Sequence, residues 1–170
     1  MQSNLQSQEP TLSGHAGILQ SGREFLTFLL DGQEYGIEIL KVKEIRGYGP
    51  VTTIVNAPAY LKGVVDLRGL VVPIVDLRIG LKVGIPSYNA QTVVIILSIS
   101  TRTIGIVVDQ VCEVVSLTAD QIRRAPEMGS TVNTDQLLGI GQIDERSLML
   151  MDMERVLSSD AIGLLTSSRE

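Results

Sequence analysis

The sequence is poor in the residues from which most catalytic and metal sites are built. Its 170 residues include one cysteine, Cys112, and one histidine, His15. A single cysteine excludes an intramolecular disulfide framework and a cysteine-based zinc site. Because His15 lies in a polar N-terminal stretch with no fixed geometry, the sequence argues against histidine catalysis and histidine ligation. We expect no metal and no cofactor, and we expect Cys112 to be a small buried hydrophobe, since it lies within an apolar run.

Signals for phosphate, nucleic-acid and carboxylate chemistry are also missing. The chain has 16 glycines but no GxxxxGK[ST] loop and no strand-following GxGxxG. Two Phe, four Tyr, no Trp and a net charge of -5 do not supply the basic stacking groove that single-stranded nucleic acid needs. Nothing in the sequence brings together any two of four aspartates near predicted strand ends, Asp66, Asp76, Asp109 and Asp152. We expect a protein that is not an enzyme and whose partners are proteins; an enzyme or small-ligand barrel is the alternative.

No apolar run approaches the length of a membrane-spanning helix. The longest, Val93 to Leu97, is far short of the ~18 residues that such a helix needs. The first residues lack a basic start followed by an apolar core, so they do not resemble a secretory signal, and their Ser, Gln and Gly content predicts a disordered tail over residues 1–22. We expect a cytoplasmic protein with a folded region at residues 23–166 and a short tail at residues 167–170.

The sequence is rich in the side chains that form a small β core. Hydrophobic residues reach 44% with only 4% aromatic, so that Val, Ile and Leu dominate. Apolar runs flank turn signals near residues 31–32, 68–69, 100–102 and 144–146, and each predicts a hairpin. The spacing over residues 39–45 favours one or two helical turns, and residues 118–121 favour a short helix. A C-terminal helix is predicted over residues 158–165, capped by Ser158 or Ser159.

Two sequence offsets relate the first half of the chain to the second. Residues 35–44 align with residues 104–113 at an offset of 69, and residues 63–77 align with residues 139–153 at an offset of 76. Each half then holds a hairpin, a connector and a second hairpin. Because about five short strands bury too little apolar surface alone, the repeat predicts two similar small β-barrels packed together, with a groove between them.

The stretch GVVDLRGLVVPIVDLR, residues 63–78, holds Pro73 inside its second apolar run. Proline cannot donate to a β-ladder, so we expect this strand at a sheet edge or a bulge, where the amide at position 73 is not needed. The same hairpin places Arg68 at its turn. Arginine is enriched among interface hot spots, which makes Arg68 a candidate contact residue, with an ordinary exposed turn residue as the alternative.

Three stretches carry a resemblance to a known family: EFLTFLLDGQEYGIEILKVKEIRGY, LKGVVDLRGLVVPIVDLR and TVVIILSISTRTIGIVVDQVCEVVSLTADQIRRAPE. From about Arg23 to Leu165, the chain resembles the CheW-like domain family of chemotaxis coupling proteins. The resemblance implies a mainly β fold of two intertwined five-stranded SH3-like β-barrels that share a hydrophobic core, with a few short helices including a C-terminal one. It also implies an adaptor, or scaffold, that couples transmembrane chemoreceptors to the histidine kinase CheA in cytoplasmic arrays near the membrane. A coupling module of a non-flagellar pathway, such as surface motility or biofilm control, is the alternative.

The resemblance also assigns residues to two contact surfaces without dividing them sharply. A receptor-binding groove between the barrels is implied for Val42, Gly63, Arg68, Val93, Gly105, Val111 and Val114. A neighbouring face at Glu44 and Ile45 is implied to contact the regulatory domain of the kinase. Many family members have Asn where this chain has Asp66, and the added charge near Arg68 bears on how freely that guanidinium is presented.

Overall fold

The computed structural model describes residues 22–125 and 134–158. The predicted N-terminal tail except Gly22, the predicted helix beyond Ser158 and the predicted tail at residues 167–170 lie outside the described residues. Within them the strands are β1 (Arg23–Leu30), β2 (Gln33–Glu38), β3 (Val42–Gly47), β4 (Leu61–Leu67), β5 (Leu70–Asp76), β6 (Val93–Ile99), β7 (Arg102–Val108), β8 (Gln110–Leu117), β9 (Ile122–Arg123), β10 (Leu137–Ile143) and β11 (Arg146–Met151). The α-helices are α1 (Leu77–Gly80) and α2 (Met153–Ser158), and the 3-10 turns are Ile39–Lys41, Ala119–Gln121 and Thr134–Gln136.

The described strands form two sheets with equivalent orders. Sheet one runs β9-β10-β11-β2-β1-β8, and sheet two runs β3-β6-β7-β5-β4. In the repeat, β6 and β7 correspond to β1 and β2. Each sheet therefore takes its first hairpin from one repeat and its remaining strands from the other. The exchange puts β2 parallel to β11 and β7 parallel to β5, at the same place in both sheets. This confirms the predicted mainly β fold of two intertwined halves.

The four predicted hairpin turns are present. Asp31, Arg68, Ser100 and Asp144 lie at the first turn positions with φ of 52°, 54°, 55° and 53°. A positive φ at this position matches the right-handed twist of the flanking strands, and short polar residues or a following glycine tolerate it. These turns set the register of the hairpins β1-β2, β4-β5, β6-β7 and β10-β11.

A pair of glycines shows the repeat at the level of atomic contacts. Gly63 and Gly139, 76 residues apart, have φ of 146° and 156°. A Cβ on Gly63 would lie 2.3 Å from the Thr52 carbonyl oxygen, and a Cβ on Gly139 would lie 2.7 Å from the Arg123 carbonyl oxygen. In each barrel, the segment that follows the edge strand crosses over this glycine, so both barrels close by the same close backbone approach.

Three apolar clusters make up the core of the described residues. Alternation along β6 shows the arrangement, because Ile95 and Leu97 belong to the largest cluster whereas Val94 and Ile96 belong to a second one. The largest cluster draws on both sheets and on α2, which makes it the core shared by the two halves. The second cluster lies on the opposite face of sheet two, and the third cluster, around Phe25, lies within sheet one.

Pro73 lies in an internal strand, so the sheet edge, one of the two expected places, was wrong, whereas the amide at position 73 is not needed, as expected. Strand β5 is flanked by β4 on one side and β7 on the other. Pro73 is opposite Val64, whose amide and carbonyl instead form hydrogen bonds of 2.9 Å with Thr52, on the far side of β4. Pairing with β7 begins at Ile74. Neither neighbouring strand therefore needs a hydrogen bond from an amide at position 73.

Two other local predictions differ from the structure. Helical geometry ends at Lys41, and residues 42–47 form β3, because the β-branched Val42 and Ile45 pair across to β6. Cys112 was expected to be buried, but it is exposed. It lies in the outer strand β8. Consecutive residues of a strand point to opposite faces of the sheet, so an apolar run in this strand includes residues of the solvent-exposed face.

The short helices are explained by their caps. The predicted helix after Thr118 is the 3-10 turn Ala119–Gln121, and the Thr118 amide donates to the Gln121 side-chain oxygen at 2.8 Å. Ser158 is the last residue of α2, and its hydroxyl donates to the Glu154 carbonyl at 2.6 Å. The start of α2 is capped by Asp152, which accepts from the Arg155 amide. None of the helices in the described ranges is long and apolar enough to cross a membrane.

Candidate protein-interaction surface

The turn between β4 and β5 presents Arg68 to solvent. Its side chain is 75% exposed, and Gly69 follows it with φ of 90°. The Gly69 amide donates to the Asp66 carboxylate at 2.8 Å. The negative charge at position 66 is therefore engaged by the turn backbone, and it acts as a side-chain cap of the turn.

Arg68 forms an ion pair with Glu44 of strand β3. The distance from Arg68 Nη2 to Glu44 Oε2 is 2.8 Å. This hydrogen bond lowers the pKa of Glu44, and the nearby positive charges of Arg46 and Lys43 act in the same direction. Arg68 comes from the predicted receptor set and Glu44 from the predicted kinase set. The structure thus brings residues of both sets into direct contact on one exposed surface.

A shallow cavity of about 220 Å³ lies beneath this ion pair. It separates the outer strand β3 from the β4-β5 turn, and the side chains of β6 and β7 close its base. It is lined by Lys43, Glu44, Leu67, Arg68, Leu70, Ile96 and Thr103. The cavity thus combines charged side chains with the apolar side chains of Leu67, Leu70 and Ile96, and a mixture of this kind occurs at protein contact sites.

The outer strand of sheet one repeats the arrangement of the outer strand of sheet two. At an offset of 69, Val111, Glu113 and Val114 of β8 occupy the places of Val42, Glu44 and Ile45 of β3. Glu113 also pairs with an arginine of its own barrel's last hairpin, Arg146, at 2.9 Å. Ile45 and Val114 are 44% and 50% exposed. Each barrel therefore shows an outer strand with an exposed apolar residue beside a glutamate-arginine pair.

The other predicted site residues are less accessible. Val42, Val93 and Val111 are half-buried and pack against the shared core. Gly63 and Gly105 are buried within sheet two, and a Cβ on Gly105 would lie 2.7 Å from Ile74 Cδ1. These two glycines have a clear role in packing. The assignment of the whole set to receptor and kinase contacts stays a prediction.

A second cavity, of about 370 Å³, opens between the segment after β3 and strand β4. Its floor is apolar and consists of Ile74, Val94 and Ile96, while Arg46, Thr52 and Asp66 contribute polar groups to its rim. No group of three or more potential metal ligands occurs in the part of the chain that the structure describes.

A buried charge network surrounds Arg78, and no pattern in the sequence predicted it. The Arg78 side chain is 2% exposed, and it donates through Nε and Nη2 to the fully buried Asp76 at 2.9 and 2.8 Å. Its Nη1 donates to Asp109 and to the Ser87 carbonyl, each at 2.7 Å. Tyr88 stacks over the guanidinium at 4.9 Å and donates its hydroxyl to Asp76. Two of the aspartates considered earlier thus converge on one arginine, whose guanidinium forms an ion pair with each of them.

The pKa values in this network shift in the directions that paired charges require. Burial by itself would raise the pKa of Asp76, but hydrogen bonds from Arg78 and Tyr88 outweigh burial and lower it. Burial and the hydrogen bond to Asp76 both raise the pKa of Tyr88. The pKa of Arg78 is raised because its bonds to Asp76 and Asp109 outweigh its burial. Asp76, Arg78 and Tyr88 therefore each keep one charge state around neutral pH, which fits a structural clamp.

Comparison with known proteins places the chain in a family. The family model described as "CheW-like domain" matches residues 24–161. The chemotaxis protein CheW of Klebsiella aerogenes is 53% identical over 144 residues, covering 85% of this chain and 87% of that protein. A chemotaxis protein CheW of Bacillus subtilis is 30% identical over 84% of this chain and 92% of its own length.

A solved structure supports the same fold. The crystal structure of the scaffolding protein TtCheW from Thermoanaerobacter tengcongensis superposes with a TM-score of 0.77 and 24% identity, covering 85% of this chain and 98% of that one. The named relatives confirm the expectation of a chemotaxis protein of the CheW type. With the family model spanning both barrels, the chain belongs to the CheW-like domain family.

Proposed function

We propose that the chain is an adaptor that couples the cytoplasmic tips of transmembrane chemoreceptors to the regulatory domain of the histidine kinase CheA. It acts without catalysis, in the cytoplasm, within arrays next to the membrane. The observation that carries the proposal is the exposed contact between Arg68 and Glu44, because these residues belong to the two predicted contact sets. The chemotaxis proteins to which the chain is similar support the same role.

The residues divide between the two partners as follows. The receptor contacts Arg68 and the apolar residues of the outer strands, and the kinase contacts Glu44 and Ile45. Buried glycines of the receptor set act by allowing the strands to approach. The residues proposed to form the receptor groove are Val42, Gly63, Arg68, Val93, Gly105, Val111 and Val114.

Modest affinities suit an adaptor of this kind. Two adjoining contact sites, each with an affinity near micromolar, correspond to about -8 kcal/mol apiece. When many copies lie in one array, the second contact of each copy becomes effectively intramolecular, so avidity replaces high intrinsic affinity. Reversible contacts of this strength let an array assemble without a large obligate interface.

The test is binding of the purified chain to a CheA regulatory domain and to a receptor tip, separately and together, with Arg68→Glu as the variant. We expect the wild type to bind both partners. Arg68→Glu should weaken receptor binding and leave thermal unfolding nearly unchanged, because the side chain is exposed. Arg155→Glu is the matched control, since Arg155 is 66% exposed and also lies beside a carboxylate.

A double variant with the charges exchanged separates the effect of losing the ion pair from the effect of losing the Arg68 guanidinium as a receptor contact. Arg68→Glu combined with Glu44→Arg restores an ion pair of opposite polarity. We expect this double variant to remain defective in receptor binding, because the receptor contacts the guanidinium itself. If the wild type bound neither partner, the result would contradict the proposal and favour a module of another chemosensory pathway. Early unfolding of Arg68→Glu would make Arg68 a residue of the fold.

A further inference from the structure

The buried charge network joins the two sheets at one point. Arg78 lies in α1, directly after β5 of sheet two, and Asp109 lies directly before β8 of sheet one. Besides its bond from Arg78, Asp109 accepts from the Asp31 amide at 2.8 Å through its other oxygen. Its own amide donates to the Leu29 carbonyl at 3.1 Å. Asp109 therefore ties the start of β8 both to sheet two and to the β1-β2 turn.

The second repeat lacks this network. At the offset of 76, Asp152 corresponds to Asp76, but Glu154 occupies the place of Arg78. Asp152 caps α2 and faces the exposed Arg155. Sheet one nevertheless forms with the same strand order as sheet two. The strand topology therefore does not require the buried guanidinium. A buried ion pair is also often no more stabilising than apolar residues of the same volume.

Strand β8 depends on such anchors because it is an outer strand. Its ladder partner is β1, and the register shifts between Leu26 and Phe28. At that irregularity the buried Thr27 hydroxyl donates to the Glu113 carbonyl at 3.1 Å and accepts from the Glu113 amide at 3.2 Å. Asp109 and Thr27 thus add side-chain hydrogen bonds to the ladder, the Glu113–Arg146 ion pair and the core packing that hold β8 in place. A small displacement of an edge strand would move every exposed side chain that it carries.

We infer that the Asp76–Arg78–Asp109 clamp is a positioning element for receptor binding: it holds the start of β8, and so sets where Val111 and Val114 meet the receptor. This inference rests on the proposed function. Asp76 and Arg78 are buried and so do not contact the receptor themselves, and Asp109 holds the start of β8 through its bonds to Arg78 and to the Asp31 amide. They act through the backbone of β8.

The variant Asp109→Asn tests the clamp with little change in volume. Both carboxylate oxygens of Asp109 accept hydrogen bonds, and an asparagine supplies one oxygen and one NH2 group. One of the two donors, the Asp31 amide or the Arg78 guanidinium, then faces another donor. We expect binding to a purified receptor tip to weaken about tenfold, with binding to the CheA regulatory domain unchanged within about twofold. Asp152→Asn is the matched control and should change neither affinity.

A second variant and a second measurement guard against simple loss of folding. Arg78→Lys keeps a charge beside Asp76 but lacks the planar fork that reaches Asp109 and Ser87 at the same time, so we expect the same selective loss. Amide hydrogen exchange on the free protein should become about tenfold faster at the start of β8 and remain unchanged in β6. A general loss of stability would instead accelerate exchange in both strands.

The outcomes separate the inference from the proposed function. If the wild type binds neither partner, the proposed function fails, and the role of the clamp in receptor binding fails with it. If the wild type binds both partners while Asp109→Asn weakens both equally or neither, the proposed function stands and the positioning role is overturned. Exchange that changes equally in β8 and β6 also overturns it.

Discussion

Replacing Arg78 with methionine should destabilise the protein strongly. Methionine fills much of the same volume but leaves the fully buried Asp76 without the two guanidinium bonds of 2.9 and 2.8 Å. Removing one partner of a buried ion pair typically costs about 3–5 kcal/mol, because the remaining charge is uncompensated. Asp109 is 32% exposed, so water replaces much of what it loses and it adds little. For a chain of this size, each kcal/mol lowers Tm by about 2–4 °C, so Tm should fall by roughly 6–20 °C.

Urea unfolding at pH 7 measures this loss, and a double variant shows its cause. Asp76→Asn combined with Arg78→Met removes the buried charge together with its partner. An asparagine oxygen can still accept from the backbone amide of residue 78, so the double variant should recover at least half of the lost stability. Arg155→Met, which breaks a pair with an exposed arginine, should stay within about 0.5 kcal/mol of the wild type.

Two results would contradict an uncompensated charge on Asp76 as the cause of the loss. The first is a loss below about 1 kcal/mol in Arg78→Met, which would mean that Asp76 finds water or another donor easily. The second is a double variant no more stable than Arg78→Met. In that case packing of the arginine stem, and not the uncompensated charge of Asp76, would be the origin of the effect.

Two further predictions concern packing and pH. Gly105→Ala should cost about 1–3 kcal/mol in urea unfolding, because its Cβ would lie 2.7 Å from Ile74 Cδ1, whereas Gly47→Ala meets nothing within 4 Å and should be nearly neutral. The folded-state pKa of Asp76 is lowered from 3.8, so its contribution to stability is present above pH 3.8 and is lost as pH falls through the lower folded value. The pKa of Tyr88 is raised from 10.0, so its contribution is present below pH 10 and is lost as pH rises through the folded value. Unfolding free energies measured across both pH ranges check these signs. Tyr88→Phe should abolish the loss of stability at alkaline pH. If that loss is unchanged in the variant, another group causes it.

Local signals in the sequence were enough to predict the hairpins and the repeat. The Asp31 and Arg68 turns combine a position of positive φ with a following glycine, and this chemistry acts over a few residues. The offset of 76 residues pairs Gly63 with Gly139, and both meet the same backbone obstruction. The family resemblance then supplied the fold and the proposed contact residues.

Other features depend on partners that are distant along the chain. The burial of Cys112 was mispredicted because an apolar run at a sheet edge places alternate residues in solvent, and only the sheet order shows which strand is the edge. The meeting of Arg68 and Glu44 likewise depends on where the β4-β5 turn passes the outer strand β3.

The sequence by itself determined which segments become strands, where they turn and to which family they belong, because those properties follow from residue type and short-range pattern. Only the tertiary structure decided that each repeat gives its first hairpin to the other sheet. That exchange places Pro73 in an internal strand without a missing bond and buries Arg78 between Asp76 and Asp109. The physical reason is that burial and charge pairing are set by contacts between strands far apart in the chain, which no local pattern contains.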